Sequence, residues 1–119
     1  MTPRLPRSTK LTLLRGTLDV FILRAVSRRP LHGFEIALWF EQQTAPGLHI
    51  EDSALYQALH RLEARGFIEG KWGVSEKNRR ARYYGITRRG RQHLSEGTDT
   101  LVSYAETITA LLAPTKEAK

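Results

Sequence analysis

The chain has 119 residues, 40% of them hydrophobic and 26% charged, which is typical of one small water-soluble domain. It has no cysteine, which excludes disulfides, thiol nucleophiles and cysteine metal sites and favours a cytoplasmic location. The net charge of +7 favours a polyanionic partner, and no apolar run approaches the roughly 18 residues of a membrane-spanning helix, so we expect no contact with membranes.

The N-terminal part of the chain predicts a loose arm followed by one helix. Residues 1–10 contain two prolines and alternating bases, so we expect a flexible basic arm. Apolar residues then recur at helical spacing, with Thr17 as the expected N-cap and Pro30 after the end of the helix. These apolar residues are Leu14, Leu18, Phe21, Ile22, Ala25 and Val26.

Two further helices are predicted next. The sequence "APG" at 45–47 ends the second helix. Asp52 or Ser53 is expected to cap the third helix, and Gly66 to end it. The apolar side chains at helical spacing are Phe34, Ile36, Ala37 and Phe40 in the second helix and Leu55, Leu59 and Leu62 in the third.

Beyond the third helix the pattern changes from helical to alternating. The stretches "FIEGKWG" and "RARYYGIT" predict two strands of a β-hairpin, joined by the polar "VSEKN". Neighbouring strand residues point to opposite faces, so we expect one of Tyr83 and Tyr84 to pack inward. Thr87 is expected to cap a long fourth helix that runs to about Ala113, in which Gly97 is a weak point of ~1 kcal/mol relative to alanine.

This order of elements predicts a mainly α fold with a small β-hairpin: a winged helix-turn-helix followed by a long C-terminal dimerisation helix. We assign residues 1–10 to the flexible arm, 11–86 to the winged-helix domain, 87–113 to the C-terminal helix and 114–119 to a disordered tail.

The third helix, at about 52–65, is the candidate recognition helix, because the major groove accepts a single helix. Its leucines occupy the side that faces the core, and polar side chains suited to bases and phosphates occupy the other sides. The candidate DNA-contacting residues are Ser53, Tyr56, Gln57, His60 and Arg61. Taken alone, this pattern also fits an ordinary amphipathic surface helix.

The hairpin, at about 67–86, is the candidate wing and carries concentrated positive charge. Residues 71–93 hold eight Lys or Arg and one acid, whereas residues 31–70 hold two bases and six acids. Like charges at a hairpin tip repel each other, but beside a duplex they replace condensed counterions and favour binding. The candidate contacts to the DNA backbone or minor groove are Lys77, Arg79, Arg80 and Arg82.

The fourth helix is longer than the core of a small domain needs, since about 26 residues at 1.5 Å each span about 39 Å. Its apolar stripe therefore predicts contact with a second copy of the chain, although folding back over its own domain stays open. The stripe contains Leu94, Leu101, Tyr104, Ile108 and Leu111.

The sequence contains no catalytic constellation. The four histidines lack zinc-site spacing, the acids are mostly single, and there is no glycine-rich phosphate loop. We therefore expect neither an enzyme nor a metal or other cofactor. Besides DNA binding, two alternatives stay open: a winged helix that binds RNA and one that docks onto a protein.

Three stretches of the sequence resemble the PadR family of bacterial transcriptional regulators. They are "RGTLDVFILRAVSRRPLHGFEIA" (15–37), "SALYQALHRLEARGFIEGKWG" (53–73) and "NRRARYYGITRRGRQHL" (78–94). The motifs "LYQALHRLEARG" and "RRARYYGIT" are quite specific as a pair and weak singly. The single helix after the wing resembles the small PadR-like subgroup.

The resemblance implies a homodimeric repressor of a double-stranded DNA operator. In the family, the first and last helices build the dimer, which adds Leu14, Leu18 and Phe21 to the candidate dimer contacts. The family's third helix enters the major groove and its wing grips the backbone. Tyr56 matches the family's phosphate-contacting tyrosine, whereas Gln57 stands where proline is common.

The resemblance also implies a possible ligand, because some members bind a small aromatic effector near the dimer interface. Trp39 and Trp72 are the candidate lining residues here. A role in packing the protein's own core is the simpler interpretation of both side chains.

Overall fold

The computed structural model describes residues 15–44 and 50–114, which contain four helices and three short strands. The elements are α1 (Arg15–Ala25), β1 (Leu31–His32), α2 (Gly33–Gln43), α3 (Asp52–Ala64), β2 (Ile68–Val74), β3 (Arg80–Ile86) and α4 (Arg88–Leu112). The predicted fold, a mainly α winged helix with a hairpin and a long C-terminal helix, is confirmed. No helix within the described part of the chain has both the length and the apolar character that a membrane crossing requires.

Some predicted features lie outside the described residues. These are the basic arm at 1–10, Leu14, the helix break at 45–47 and the tail from residue 115 onward. The domain boundaries therefore stay a prediction.

Helices α1, α2 and α3 pack around one apolar core. Ile22 and Leu23 of α1, Ile36 of α2 and Leu59 of α3 are all fully buried there. Helical spacing places such residues on one side of each helix, so burying them removes three apolar stripes from water at once. The predicted core face of α3 is confirmed, since its three leucines are all buried.

A strand that was not predicted, β1, completes the sheet. Its Leu31 pairs with Tyr84 and its His32 with Tyr83, so β3 is central in the order β1-β3-β2. Tyr84 packs against the core, whereas the ring of Tyr83 meets His32 edge-on with centroids 5.2 Å apart. The two tyrosines therefore have different neighbours, as expected for adjacent strand residues.

The register of the hairpin decides which wing side chains lie together. Trp72 is opposite Arg82, and Val74 is opposite Arg80. Alternate residues of a strand share a face, so these four side chains lie on the same face as Tyr84. Because Tyr84 packs against the core, we call this face the inner face of the wing.

Two helices begin differently from the prediction. α1 is already helical at Arg15, so Thr17 lies inside the helix and the prediction that it is the N-cap is wrong. α3 has Glu51 as its N-cap, without a side-chain hydrogen bond, so Asp52 and Ser53 lie in its first turn. Asp52 still favours the helix there, because its carboxylate lies near the positive end of the helix dipole.

The other two helices begin with side-chain caps. In α2, His32 Nδ1 accepts from the Glu35 N–H at 3.3 Å and Glu35 Oε1 accepts from the His32 N–H at 3.1 Å, which is a capping box. In α4, Thr87 Oγ1 accepts from the N–H of Gly90 at 3.0 Å, so the predicted cap is confirmed. At the end of α3, Gly66 has a φ of +81°, which suits its predicted role as a stop.

Gly97 marks a close crossing of α4 and α1. A Cβ built on Gly97 would lie 2.5 Å from Cγ2 of the buried Val20. The low helix propensity expected of Gly97 is therefore accompanied by a packing role, because any larger residue at this position would require Val20 to shift. Gly90 is packed just as closely, since a Cβ built on it would overlap the backbone carbonyl of Phe67.

Replacing Gly97 by alanine is expected to lower the free energy of unfolding by about 1–3 kcal/mol, because overpacking outweighs the gain in helix propensity. Gly16 is the matched control: it is also helical, but among the described residues nothing lies within 4 Å of where its Cβ would be. Gly16→Ala should raise the free energy of unfolding by up to about 1 kcal/mol. Urea denaturation measures both values, and stabilisation by both alanines would contradict the close crossing.

Candidate nucleic-acid interface

The outer side of α3 carries polar side chains that are free to contact a groove. Ser53, Gln57 and His60 are all exposed, while the leucines of the helix face the core. The leucines are buried in the core, so the side that carries these three residues is open to an incoming ligand. The structure thus places these three candidate residues on the outer surface.

Tyr56 lies where α3 meets the start of α2. Its side chain is 52% exposed, and a Cβ on Gly33 would overlap its hydroxyl group. Gly33 is the first residue of α2, where backbone N–H groups without helical partners form the positive end of the helix. The hydroxyl of Tyr56 therefore lies beside the N-terminal end of α2.

Arg61 contacts α1 instead of the outer surface. Its Nη2 donates to Oδ1 of Asp19 at 2.6 Å, and Asp19 is 2% exposed. A buried carboxylate needs a cationic or hydrogen-bonding partner, and Arg61 supplies it. Arg61 Nε is buried and has no hydrogen-bond partner within the described residues. Arg61 thus joins α3 to α1, and its predicted contact with DNA stays a prediction.

Lys77 and Arg79 are exposed in the loop at the tip of the wing. The loop is closed by the N–H of Ser75, which donates to the carbonyl of Arg79 at 2.8 Å, and by the N–H of Asn78, which donates to the carbonyl of Ser75 at 2.9 Å. Asn78 has a φ of +60°, a conformation that asparagine adopts more readily than most residues. This tight loop presents its two cations to solvent.

Arg82, by contrast, joins the wing to α3. Its Nη2 donates to Oε2 of Glu63 at 2.5 Å, and the N–H of Gly70 donates to the same oxygen at 3.3 Å. One carboxylate of α3 therefore holds both strands of the wing. The inner face of the wing and α3 consequently adjoin each other.

Glu63 was missed from the sequence alone. A signal was available, since an acidic residue in the last turn of a helix opposes the helix dipole and suggests another reason for its presence. Its partners are 7 and 19 positions away in the chain, which no local pattern indicates.

Aromatic rings and guanidinium groups alternate along the inner face of the wing. Cζ of Arg80 lies 4.3 Å from the centroid of the Trp72 ring, and Cζ of Arg82 lies 5.7 Å from that ring and 6.0 Å from the ring of Tyr84. Burial raises the pKa of Tyr84, and the nearby Arg82 opposes part of that rise. The phenol is therefore uncharged at neutral pH.

Some basic residues near the base of the wing pack on the protein itself. Cζ of Arg65 and Cζ of Arg89 lie 4.8 Å and 5.6 Å from the centroid of the buried Phe67 ring. His93 stacks on the same ring, with centroids 4.3 Å apart. These contacts show that part of the positive charge supports the fold.

The two tryptophans lie in different surroundings, and their predicted role in lining an effector site stays a prediction. Trp39 is half-buried and packs against the core of its own chain, and Trp72 is exposed on the wing. We therefore include no effector in the proposed function. Within residues 15–44 and 50–114, no group of three or more His, Asp or Glu side chains could hold a metal ion.

The candidate dimer contacts fall into two groups. Leu18 is buried in its own core, and Phe21 and Leu94 are half-buried against it. Leu18 has little surface left for a partner, so we do not include it in the proposed interface.

The second group lies on the projecting half of α4. Leu101 is half-buried, and every residue from Val102 to Pro114 is exposed. Tyr104 is 58% and Leu111 77% exposed. This half of α4 thus leaves an apolar stripe in water, which a stable monomer has no reason to retain.

Comparison with known proteins gives consistent matches. Residues 22–96 match the model of the transcriptional regulator PadR-like family. An uncharacterised protein of Lysinibacillus sphaericus is 33% identical over 84 residues, which are 71% of this chain and 77% of that protein. A transcriptional regulator from Clostridium thermocellum has a similar structure, with 28% identity, a TM-score of 0.74 and coverage of 82% of this chain and 92% of its own. A PadR family transcriptional regulator from Eggerthella lenta is 26% identical, with a TM-score of 0.70 and coverage of 85% and 86%.

Replacing Asp19 by alanine is expected to leave the Arg61 guanidinium without its carboxylate. Because the Arg61 side chain keeps 24% of its exposure, we expect the free energy of unfolding to fall by roughly 2–3 kcal/mol, less than for a fully buried pair. Chemical denaturation measures this loss.

Asp99→Ala, on the exposed surface of α4, is the control and should change stability by less than about 0.5 kcal/mol. The double substitution Asp19→Leu with Arg61→Met replaces both charges by apolar groups and should recover most of the loss. An equal effect of the two alanine substitutions would show that the ion pair does not hold α3 against α1.

Proposed function

The chain belongs to the PadR-like family of transcriptional regulators, and we propose that it represses transcription as a homodimer bound to a double-stranded DNA operator. Regulators of this family bind DNA and are not enzymes. The DNA-binding regulatory function is therefore given by the family, and the operator-bound dimer and the residue roles below are proposals.

One observation carries the proposed geometry: Glu63 of α3 binds Arg82 of the wing. This ion pair places the inner face of the wing beside α3, so the positive wing and the polar side of the helix can meet one ligand together. A duplex fits that surface, because its major groove accepts a helix and its flanking phosphates attract cations.

We propose that α3 enters the major groove and reads bases through its exposed polar residues. Gln57 has the amide that pairs with adenine, and Ser53 and His60 can bond to base edges or phosphates. Tyr56, beside the positive end of α2, is placed to donate its hydroxyl to a phosphate. These contacts would set both the register and the sequence preference.

The wing, in this proposal, supplies affinity without sequence preference. Lys77, Arg79 and Arg80 are exposed at or near its tip, and each phosphate that they neutralise releases condensed counterions. Arg82 already has Glu63 as a partner, so we propose that it anchors the wing and leaves the contacts to its neighbours. RNA and protein docking are less favoured, because neither explains a groove-sized polar helix next to a cationic hairpin.

The exposed apolar stripe of α4 supports the homodimer. Tyr104, Ile108 and Leu111 lie on one side of the helix, where a second copy could cover them. A two-fold dimer would place two α3 helices on one face of the DNA and would favour a palindromic site. Repression follows if the bound dimer occupies the promoter and excludes the polymerase.

Base recognition by α3 and phosphate binding by the wing predict two different effects of mutation on DNA affinity. On a duplex selected from a random pool, Gln57→Ala should change the preference among single-base variants by roughly 1–3 kcal/mol. Arg79→Ala should instead weaken binding to all sequences alike and reduce the salt slope by about one for each wing. Fluorescence anisotropy at several salt concentrations measures both patterns.

Lys71→Ala is the control for the wing, because Lys71 is exposed on the other face of β2. This substitution should weaken DNA binding less than Arg79→Ala does. For the unmodified dimer, about six neutralised phosphates give an expected slope of log affinity against log salt near −5. A slope near zero, or the same pattern for Gln57→Ala and Arg79→Ala, would refute the assignment of roles.

The dimer is tested by placing charges on the exposed stripe. Ile108→Glu combined with Leu111→Glu should produce monomers in sedimentation velocity and lower operator affinity by about a hundredfold or more. Val102→Glu, on the opposite side of α4, should leave the dimer intact. A stable dimer of the double variant would place the interface elsewhere.

A further inference from the structure

Trp72 is an exposed tryptophan that packing of the core does not explain. It is 56% exposed and lies in the middle of β2, with its side chain on the inner face of the wing. An isolated aromatic residue on a sheet surface stabilises a hairpin only slightly. Two arginine guanidinium groups, however, lie over its ring, and this arrangement links the indole to the cations of the wing.

The two arginines beside Trp72 differ in their partners. Arg82 is paired with Glu63, so its charge is offset and its position is fixed. Arg80 has no carboxylate partner within the described residues, and its Cζ lies closest to the ring, at 4.3 Å. Trp72 is thus placed between an anchored guanidinium and an unpaired one.

Stacking on a ring leaves the hydrogen-bonding capacity of a guanidinium intact. The flat face of the group contacts the ring, while its N–H donors lie around the edge of the plane and stay available. The ring also removes water from one side of the charge and restricts the side chain to few conformations. Both effects lower the cost, in desolvation and in conformational entropy, that an arginine incurs when it binds a phosphate.

We propose that Trp72 is a positioning residue for DNA binding: its indole holds Arg80 in the orientation in which it donates to a backbone phosphate. The inference rests on the proposed function, since it requires that the wing meets a duplex. In this arrangement, Glu63 fixes Arg82, Arg82 and Arg80 flank the indole, and Arg80 is the group that reaches the nucleic acid. Trp72 acts through Arg80 and does not itself contact the DNA.

The direct test is a double-mutant cycle on operator binding. Trp72→Leu keeps an apolar side chain but removes the ring, and we expect it to weaken binding roughly two- to fivefold for each wing engaged. Trp72→Phe keeps an aromatic ring and should weaken DNA binding less than Trp72→Leu. In a chain that already carries Arg80→Ala, Trp72→Leu should have no further effect.

Val74→Ala is the matched control, because Val74 is exposed on the same face and lies opposite Arg80 but has no aromatic ring on which a guanidinium could stack. It should leave affinity unchanged. Additive losses from Trp72→Leu and Arg80→Ala would mean that the indole contacts DNA directly, and no loss from Trp72→Leu would mean that it positions nothing. Either outcome overturns the proposal.

A second readout uses the free protein and does not depend on the folding of a leucine variant. The chain has two tryptophans, so Trp39→Phe leaves Trp72 as the single indole fluorophore. In that background, Arg80→Ala should change the emission of Trp72, whereas Lys77→Ala should not. Identical spectra for the two variants would show that Arg80 does not stack on Trp72 in solution.

The two experiments separate the two levels of the proposal. If the unmodified chain fails to bind any selected duplex, the proposed function fails, and the positioning role fails with it. If the chain binds a duplex but the cycle is additive or flat, the DNA-binding assignment stands and only the role of Trp72 is wrong.

Discussion

The ion pair between Glu63 and Arg82 is the contact on which the candidate interface depends. Beyond the two residues of β1 that pair with β3, the wing is a two-stranded hairpin, and such a hairpin alone is marginally stable. By holding the backbone of β2 and the side chain of β3 with one carboxylate, α3 sets the angle at which the wing leaves the domain. The polar side of α3 and the cations of the wing can then meet a single duplex, as the proposed function requires.

The arginines of this chain have two different roles, and the Glu63–Arg82 ion pair is an example of the first. Arg61 and Arg82 are each paired with a carboxylate of another element, and Arg65 and Arg89 pack on Phe67. These arginines join helices and strands. The cations left exposed at the tip of the wing have no such partner within the described residues, and they are the ones suited to exchange counterions for phosphates.

The long α4 helix links this surface to assembly. Its first turns are fixed to the domain by Thr87, by Gly90 against Phe67 and by Gly97 against Val20, so its direction is set by contacts in the same chain. Its second half extends beyond those contacts with apolar side chains in water. The N-terminal half of α4 is fixed to its domain and the C-terminal half exposes apolar side chains. This arrangement suits a helix that sets the distance between two DNA-binding surfaces in a dimer.

Local pattern was sufficient to predict the order of the elements, the core face of α3, the Thr87 cap and the concentration of charge in the wing. These features depend on residues within a few positions of one another, through helical or strand periodicity and capping chemistry. The chain's three-dimensional packing settled what depends on distant residues. Arg61 meets a carboxylate 42 positions away and Arg82 one 19 positions away, so two arginines that were predicted to contact DNA form ion pairs within the protein. Sequence patterns likewise did not indicate strand β1, the close crossing at Gly97 or the stacking of Arg80 on Trp72. Each of these depends on which segments of the chain pack against each other, and tertiary structure decides that.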